Sequence, residues 1–452
     1  MAAQQAVVTA PSASRPVVAR RDRTFTRWAV VTVGVLFGYL VFGRAFAYIG
    51  VPGVPIFIGE VLLAAFFLFK PATSGARWFR ALVHRSTLSP LAWSLYALLA
   101  YGLLLAARGV LAGYPRRTVL EELAFDLYPL YLLLGLWLAE RDPRILERSL
   151  FILAWMNGIY GIAYMVLLKD VPATFPGATE VFLFNKPSGQ AIALLAILSF
   201  RWELRRAWLP LLLNAAVLLG SQTRAYWAGF IVALVVWAIL SRRVGRTLLV
   251  SGVLALVLTV AWIVDVRFQA DRGPGEYSAR NVVGAAIAPF DRELAAQYTD
   301  YSRNFAGTTE WRRDWWRGIW KAANDDPVVM VVGHGYGFPL ATTAVLRSTP
   351  PDLRTPHNWF FFALGYGGWL GVGVFVFFLG ALGHLLWRTY QRTEQPFGLA
   401  VLALAVVVAA FSNFFETPYA AIPVYLVLGM AAVPGVTDRA TSVASASAER
   451  GG

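Results

Sequence analysis

Only four histidines occur in 452 residues. One of them, His357, stands with Asn358 directly before an aromatic and glycine run, in TPHNWFFFALGYGGWLG. Histidine titrates near neutrality, so a neutral imidazole can take a proton from a sugar hydroxyl as that oxygen attacks an anomeric carbon. Arginine supplies the complementary chemistry. A guanidinium makes bidentate, charge-assisted hydrogen bonds to phosphate, which a diphosphate leaving group needs as its bridging bond breaks. Arg224 lies in GSQTRAYWAGF, in a very short turn between two apolar runs, and Arg312 and Arg313 lie in EWRRDWWRGIWKAANDDP. Basic groups from distant stretches that share one face suggest an anion site, with His357 as its general base. Plainer readings stand beside these: an arginine at a span end snorkels to the interface, and a histidine at a helix start caps it or bonds to backbone.

In VVGHGYGFP, Gly333, Gly335 and Gly337 alternate with His334, Tyr336 and Phe338. Alternating glycines let backbone approach a ligand or another chain closely. That makes His334 the reserve base and puts His334 and Tyr336 among the substrate-contact candidates, with a tight structural loop as the equal alternative. The strand and helix context of a nucleotide fingerprint is missing. Glu60, Asp126 and Glu416 are ionisable groups within or beside apolar runs, a costly placement that marks function. Glu60 is expected to pair with Arg44. With no cysteine in the chain, disulfides and thiolate metal sites are excluded; no metal and no cofactor is expected.

These groups must be held by membrane helices. The chain is 58% hydrophobic and 15% charged, with a mean hydropathy of +0.56, and a spanning helix needs about 20 mostly apolar residues. Twelve runs qualify: 28–43, 53–69, 89–107, 123–139, 149–168, 187–200, 207–220, 225–240, 247–264, 358–387, 397–412 and 418–433. The fold class is therefore all-α and polytopic, with about twelve spans and one large, partly helical external loop. The organisation reads as a basic tail at 1–27, nine spans over 28–264, the loop at 265–356, three spans over 357–433 and a small, polar, disordered tail at 434–452.

Charge fixes the orientation. Most of the +14 net charge sits in short connections. Those holding Lys70, Arg77, Arg80 and Arg85, then Arg141, Arg144 and Arg148, then Arg201, Arg205 and Arg206, then Arg242, Arg243 and Arg246 fall on one side, the cytoplasmic one by the positive-inside rule. The excess thus sets topology and does not point to nucleic acid. The long loop balances 11 Lys/Arg against 11 Asp/Glu, as a translocated segment can. Within it, Trp311, Trp315, Ile319 and Ala322 approach helical spacing, which predicts an amphipathic helix ended by Pro327; its tryptophans also read as interfacial anchors.

The combination of SQTRAYWAGF, RRDWWRGIWKAANDDP, the glycine loop and PHNWFFFALGYGGWLG resembles the O-antigen ligase and polymerase superfamily of bacterial envelope glycosyltransferases. The similarity is clearest over 305–372 and extends plausibly over 215–433. The resemblance implies a metal-independent transfer, on the periplasmic face of the inner membrane, of a glycan from undecaprenyl diphosphate to a lipid- or glycan-linked acceptor sugar. By matching positions it implies that Arg224 and Arg312, or Arg313 in its place, hold the diphosphate, that His357 activates the acceptor hydroxyl, and that Asn358, in the same motif, contacts the substrate. Ala363 stands where an acidic residue is common in the family. The ligase reading leads, a polymerase of lipid-linked repeat units follows, and a flippase for lipid-linked sugars is the reading from another class.

Overall fold

The computed structural model describes residues 23–50, 56–69, 89–168, 171–173, 181–183, 187–200, 202–269, 276–300, 302–344 and 355–433. The basic connection holding Lys70, Arg77, Arg80 and Arg85, most of both tails, and Arg201 lie outside these residues. The fold is all-α. Extended pairing among the described residues amounts to two two-residue antiparallel pairs, Pro172–Ala173 with Val181–Phe182 and Phe268–Gln269 with Glu276–Tyr277, and the isolated bridge between Gly50 and Phe57.

Over the described residues, the apolar runs coincide largely with helices. In chain order these are α1 (Arg23–Phe37), α2 (Ile58–Phe69), α3 (Ser89–Leu111), α4 (Arg116–Leu127), α5 (Tyr131–Arg141), α6 (Ile145–Ala163), α7 (Ser188–Ser199), α8 (Leu204–Gly220), α9 (Arg224–Ser241) and α10 (Val244–Ile263). The loop region then supplies α11 (Ala279–Ile287), α12 (Arg292–Ala296), α13 (Ser302–Asn324) and α14 (Pro327–Val332), and the chain closes with α15 (Trp359–Thr393), α16 (Phe397–Ala409) and α17 (Pro418–Ala431). Among the described residues, 7 helical stretches are long and apolar enough to cross a membrane, and four more are apolar but of 10–17 residues. Several runs sit on helices shorter than a full span, so twelve overstates what length alone supports. Helix α10 leaves every apolar side chain but Val250 at least partly exposed, and a helix that is apolar all round must face lipid where it does not face protein.

The centre of the bundle is α17, in which every residue from Pro418 to Met430 is buried. It crosses α5 at near-backbone contact: a Cβ at Gly429 would lie 2.3 Å from the Leu132 carbonyl oxygen. Small residues permit such an approach, which is how helices gain packing when lipid offers no hydrophobic drive. Nearby, Glu60 accepts from the Phe57 amide at 3.0 Å and from the Tyr128 hydroxyl at 3.4 Å. The expected Glu60–Arg44 pair does not form; the Arg44 guanidinium lies 5.5 Å from the Tyr48 ring centroid instead.

One expected span is shortened. Helix α15 counts 35 residues, about 52 Å if straight, against roughly 30 Å of hydrocarbon. It is not straight. Gly368 has φ 61° and ψ −163°, and there the chain doubles back. The Trp359 and Phe375 rings are 5.4 Å apart, although 16 residues of continuous helix would separate them by about 24 Å. Phe362 and Phe375 likewise both sit 4.8 Å from Phe125. Residues 359–367 are therefore a short arm folded against a descending helix, and 358–387 is not one span.

Gly333, with φ +67°, stands opposite the break: a Cβ on Gly368 would lie 2.6 Å from the Gly333 nitrogen and from the Val331 carbonyl oxygen. Two glycines in the positive-φ region let α14 and the fold-back meet backbone to backbone. Asp326 caps α14 by accepting from the Val328 and Val329 amides at 2.7 and 2.9 Å. Those donors hold its carboxyl below the usual range.

Candidate active site

The turn at residues 410–417, between α16 and α17, is where the separate elements meet. Asn358 caps the folded arm, its Oδ1 accepting from the Phe360 and Phe361 amides at 2.9 and 3.2 Å. Its Nδ2 donates to the Ala410 carbonyl at 2.8 Å. Arg312 reaches the same turn from α13, donating from Nη1 to the Phe411 carbonyl at 2.9 Å. Both carbonyls lie just past the last residue of α16, Ala409, where no further helical turn supplies amide partners, and the two side chains fill that need.

His357 directly precedes the first of these anchors, Asn358. Its backbone is in the left-handed region, φ 54°, which a residue other than glycine adopts at a cost. The flanking contacts hold it there: Trp316 donates from Nε1 to the Pro356 carbonyl at 2.7 Å and stacks on Phe361, with centroids 5.4 Å apart. The His357 ring lies 6.2 Å from that of Trp311 and is half-buried, so part of it remains reachable.

Arg224 is the first residue of α9, directly after the Thr223 N-cap. Helix α9 runs beside α16, and a Cβ at Gly229 would touch Val408 and Leu404. Two residues past Arg224, the Tyr226 ring lies 6.2 Å from Phe414. Arg224 thus heads its helix at the level of the 410–417 turn, half-buried. Glu416, in the same turn, has both carboxylate oxygens out of solvent.

Arg312 and Arg313 occupy different faces of α13. Trp315 and Ile319 are buried, with Trp315 donating from Nε1 to the Leu340 carbonyl at 2.7 Å, and Arg312 shares that side. Arg313 is exposed. The tryptophans divide in the same way: Trp315 packs inside the protein, whereas Trp320 is 46% exposed and fits an interfacial position.

The glycine loop is a separate place. His334 donates its amide to the Gly365 carbonyl at 3.1 Å, toward the far end of the folded arm from Asn358 and about 10 Å along it. Its ring stacks on Phe338 with centroids 3.9 Å apart. Burial, then the neighbouring Arg108 charge, holds its pKa below the usual histidine value against the opposing pull of Asp326. His334 therefore does not join His357.

Tyr336 is wholly buried and donates from its hydroxyl to Asp126 Oδ2 at 2.5 Å. Glu122 accepts from the Gly337 amide and, at 2.7 Å, from the Tyr366 hydroxyl. Tyr101 donates to the Gly367 carbonyl at 2.6 Å. Glu122, Tyr101 and Tyr366 were not legible as a set. Only the spacing of Glu122 and Asp126, four residues apart and hence on one helix face, hinted that two acids share a task. That task is to fasten the loop and the folded arm to α3 and α4. Replacing Tyr336 by phenylalanine leaves Asp126 without this donor, and should cost about 1–3 kcal/mol. The check is a lowered thermal midpoint in a protein that still folds.

Among the described residues no group of three or more His, Asp or Glu side chains is placed to hold a metal ion. Residues 209–376 match the family model described as O-antigen ligase. That segment contains Arg224, Arg312, His357 and Asn358 but ends before the 410–417 turn that Arg312 and Asn358 contact. No curated protein matches the chain.

Proposed function

We propose that this chain, which carries an O-antigen ligase domain at residues 209–376, is a glycosyltransferase of the bacterial inner membrane. It would move a glycan from undecaprenyl diphosphate to a sugar hydroxyl on the periplasmic side. The observation that carries this reading is the convergence of Arg312, Asn358 and the start of α9 on one turn, with His357 adjacent to Asn358 and its ring 6.2 Å from that of Trp311.

In this reading the diphosphate rests against Arg224 and Arg312, and the N-terminus of the folded arm adds its positive dipole end nearby. The acceptor oxygen attacks the anomeric carbon while the bond from that carbon to the diphosphate oxygen breaks. The hydroxyl proton passes to the His357 imidazole, and lipid diphosphate leaves with the charge that the two guanidinium groups stabilise. Asn358 positions His357 and the arm, His334 and Tyr336 hold the glycine loop, and Arg313 faces solvent. The prenyl chain lies along the apolar helices, which explains a sugar-handling enzyme of this hydrophobicity. The C-terminal ends of α5, at Arg141, and of α9, followed by Arg242 and Arg243, face the cytoplasm by the positive-inside rule, which directs the 410–417 turn outward.

A polymerase of lipid-linked repeat units would use the same donor site, and the acceptor separates the two. We favour the ligase because one prominent histidine suits base-assisted transfer to a terminal acceptor. A flippase is expected to carry its polar groups near the midplane of related halves, whereas the groups named here gather at one end.

The test is transfer from purified undecaprenyl-diphosphate glycan to candidate acceptors, with chelator present, read as product and released lipid diphosphate. Arg312→Ala should lower the rate by about 10²-fold or more, in the range of losing one charge-stabilising donor. Arg313→Ala should stay within about twofold of the unaltered protein, as an exposed side chain outside the site. Equal losses in the two variants would remove the diphosphate assignment, and activity lost to chelator would remove the metal-independent mechanism.

A further inference from the structure

An apolar groove unconnected with the transfer site opens between α1 and α2. It measures ≈ 310 Å³; Val31 and Val35 line it from α1, Val61 and Ala65 from α2, and Arg27 and Trp28 stand at one end. Trp28 packs on Phe66, with centroids 6.0 Å apart, and the neighbouring Phe25 packs on Trp137 at 5.6 Å. Arg141 lies over that Trp137 ring at 4.4 Å. The Arg27 end of the groove is therefore the Arg141 end of α5, whereas Phe125 on α4, through Phe375, leads to Phe415 in the 410–417 turn at the other end.

Two features define the occupant. Along α1 the lining runs from Arg27 to Val35, about 12 Å of helix rise, against roughly 15 Å for one leaflet of the hydrocarbon core. One acyl chain from a single leaflet fits that depth. At the open end, Arg27 is exposed and makes no hydrogen bond or ion pair to another described residue, while Arg141 is engaged with its tryptophan. An uncommitted cation above an apolar slot between two spans is complementary to an anionic headgroup.

We propose that this groove holds one acyl chain of an anionic phospholipid whose phosphate is bound by Arg27, with Trp28 at the depth of the ester groups. The lipid wedges α1 against α2 and belongs to the leaflet opposite the transfer site. No residue of the groove takes part in the proposed reaction, so this inference stands or fails independently of it.

The experiment is native mass spectrometry of the purified full-length protein with added phosphatidylglycerol, phosphatidylcholine of the same chains, a polyprenyl phosphate, or inorganic phosphate alone. The unaltered protein should retain phosphatidylglycerol about fivefold more strongly than phosphatidylcholine, the effect of one cation near the surface. Arg27→Gln should abolish that preference, and Ala65→Phe, which fills the slot, should reduce retention of both phospholipids. Thermal midpoints without added lipid confirm that each variant is folded; should Ala65→Phe fail to fold, Val31→Phe fills the same slot from α1. Equal retention of the two phospholipids, or a preference that survives Arg27→Gln, overturns the proposal. So does stronger retention of the polyprenyl phosphate, or displacement of the lipid by inorganic phosphate at equal concentration.

Discussion

Replacing His357 by alanine is expected to lower glycan transfer by about 10² to 10⁴-fold, the range attributed to a positioned general base. The fall should appear in kcat more than in KM, because the imidazole is required when the proton moves and not for holding the donor. Alanine at φ 54° also strains the backbone, so His357→Asn is the sharper variant: asparagine accepts left-handed geometry more readily but cannot serve as the base. Both variants should release little lipid diphosphate while remaining folded. An active His357→Asn protein would sink the base assignment and leave the arginine site in search of another proton acceptor.

The second large effect concerns a residue that touches no substrate. Gly368→Ala would place a Cβ 2.6 Å from the Gly333 nitrogen, 2.6 Å from the Val331 oxygen and 2.7 Å from the Met330 oxygen. All three are backbone atoms of a packed helix end and cannot swing aside. The backbone angles at Gly368 are themselves in a region that essentially only glycine occupies, a strain of about 1–3 kcal/mol for any other residue. Loss of the fold-back would carry Asn358 away from Ala410 and His357 away from Trp311. We expect Gly368→Ala to be poorly folded or, where it can be purified, inactive with a markedly lower thermal midpoint.

Gly373→Ala is the matched control. It lies in the same helix with nothing within 4 Å of the added carbon, and replacing glycine by alanine within a helix should stabilise by roughly 0.5–1 kcal/mol. If the two variants melted alike and retained activity, the reversal at Gly368 would not be what positions the site.

Much of this was legible in the sequence. The helices of the membrane part follow from transfer free energy, which depends only on local composition, so over the described residues the apolar runs coincide largely with helices. Trp311, Trp315 and Ile319 announced the buried face of α13, and the same phase sets Arg312 inward and Arg313 outward. The types of His357, Arg224 and Arg312 already named base and anion-binding chemistry.

Direction and distance were not legible. The run FFFALGYGGWLGVGVF is apolar on both sides of Gly368, and hydropathy carries no sign for a reversal of the chain; only the φ of one glycine, fixed by its contact with α14, decides it. Glu60 had a plausible partner in Arg44, but a tyrosine 68 positions away supplied the hydrogen bond. Tyr336 looked available to a ligand until the 210-residue link to Asp126 turned it inward. The sequence by itself determined which groups can do chemistry and that they ride on membrane helices, because side-chain type and hydrophobicity are local properties. Only the tertiary structure decided that Arg312, Asn358 and the head of α9 share one turn, because that depends on helix ends meeting across stretches of chain whose spacing encodes no contact.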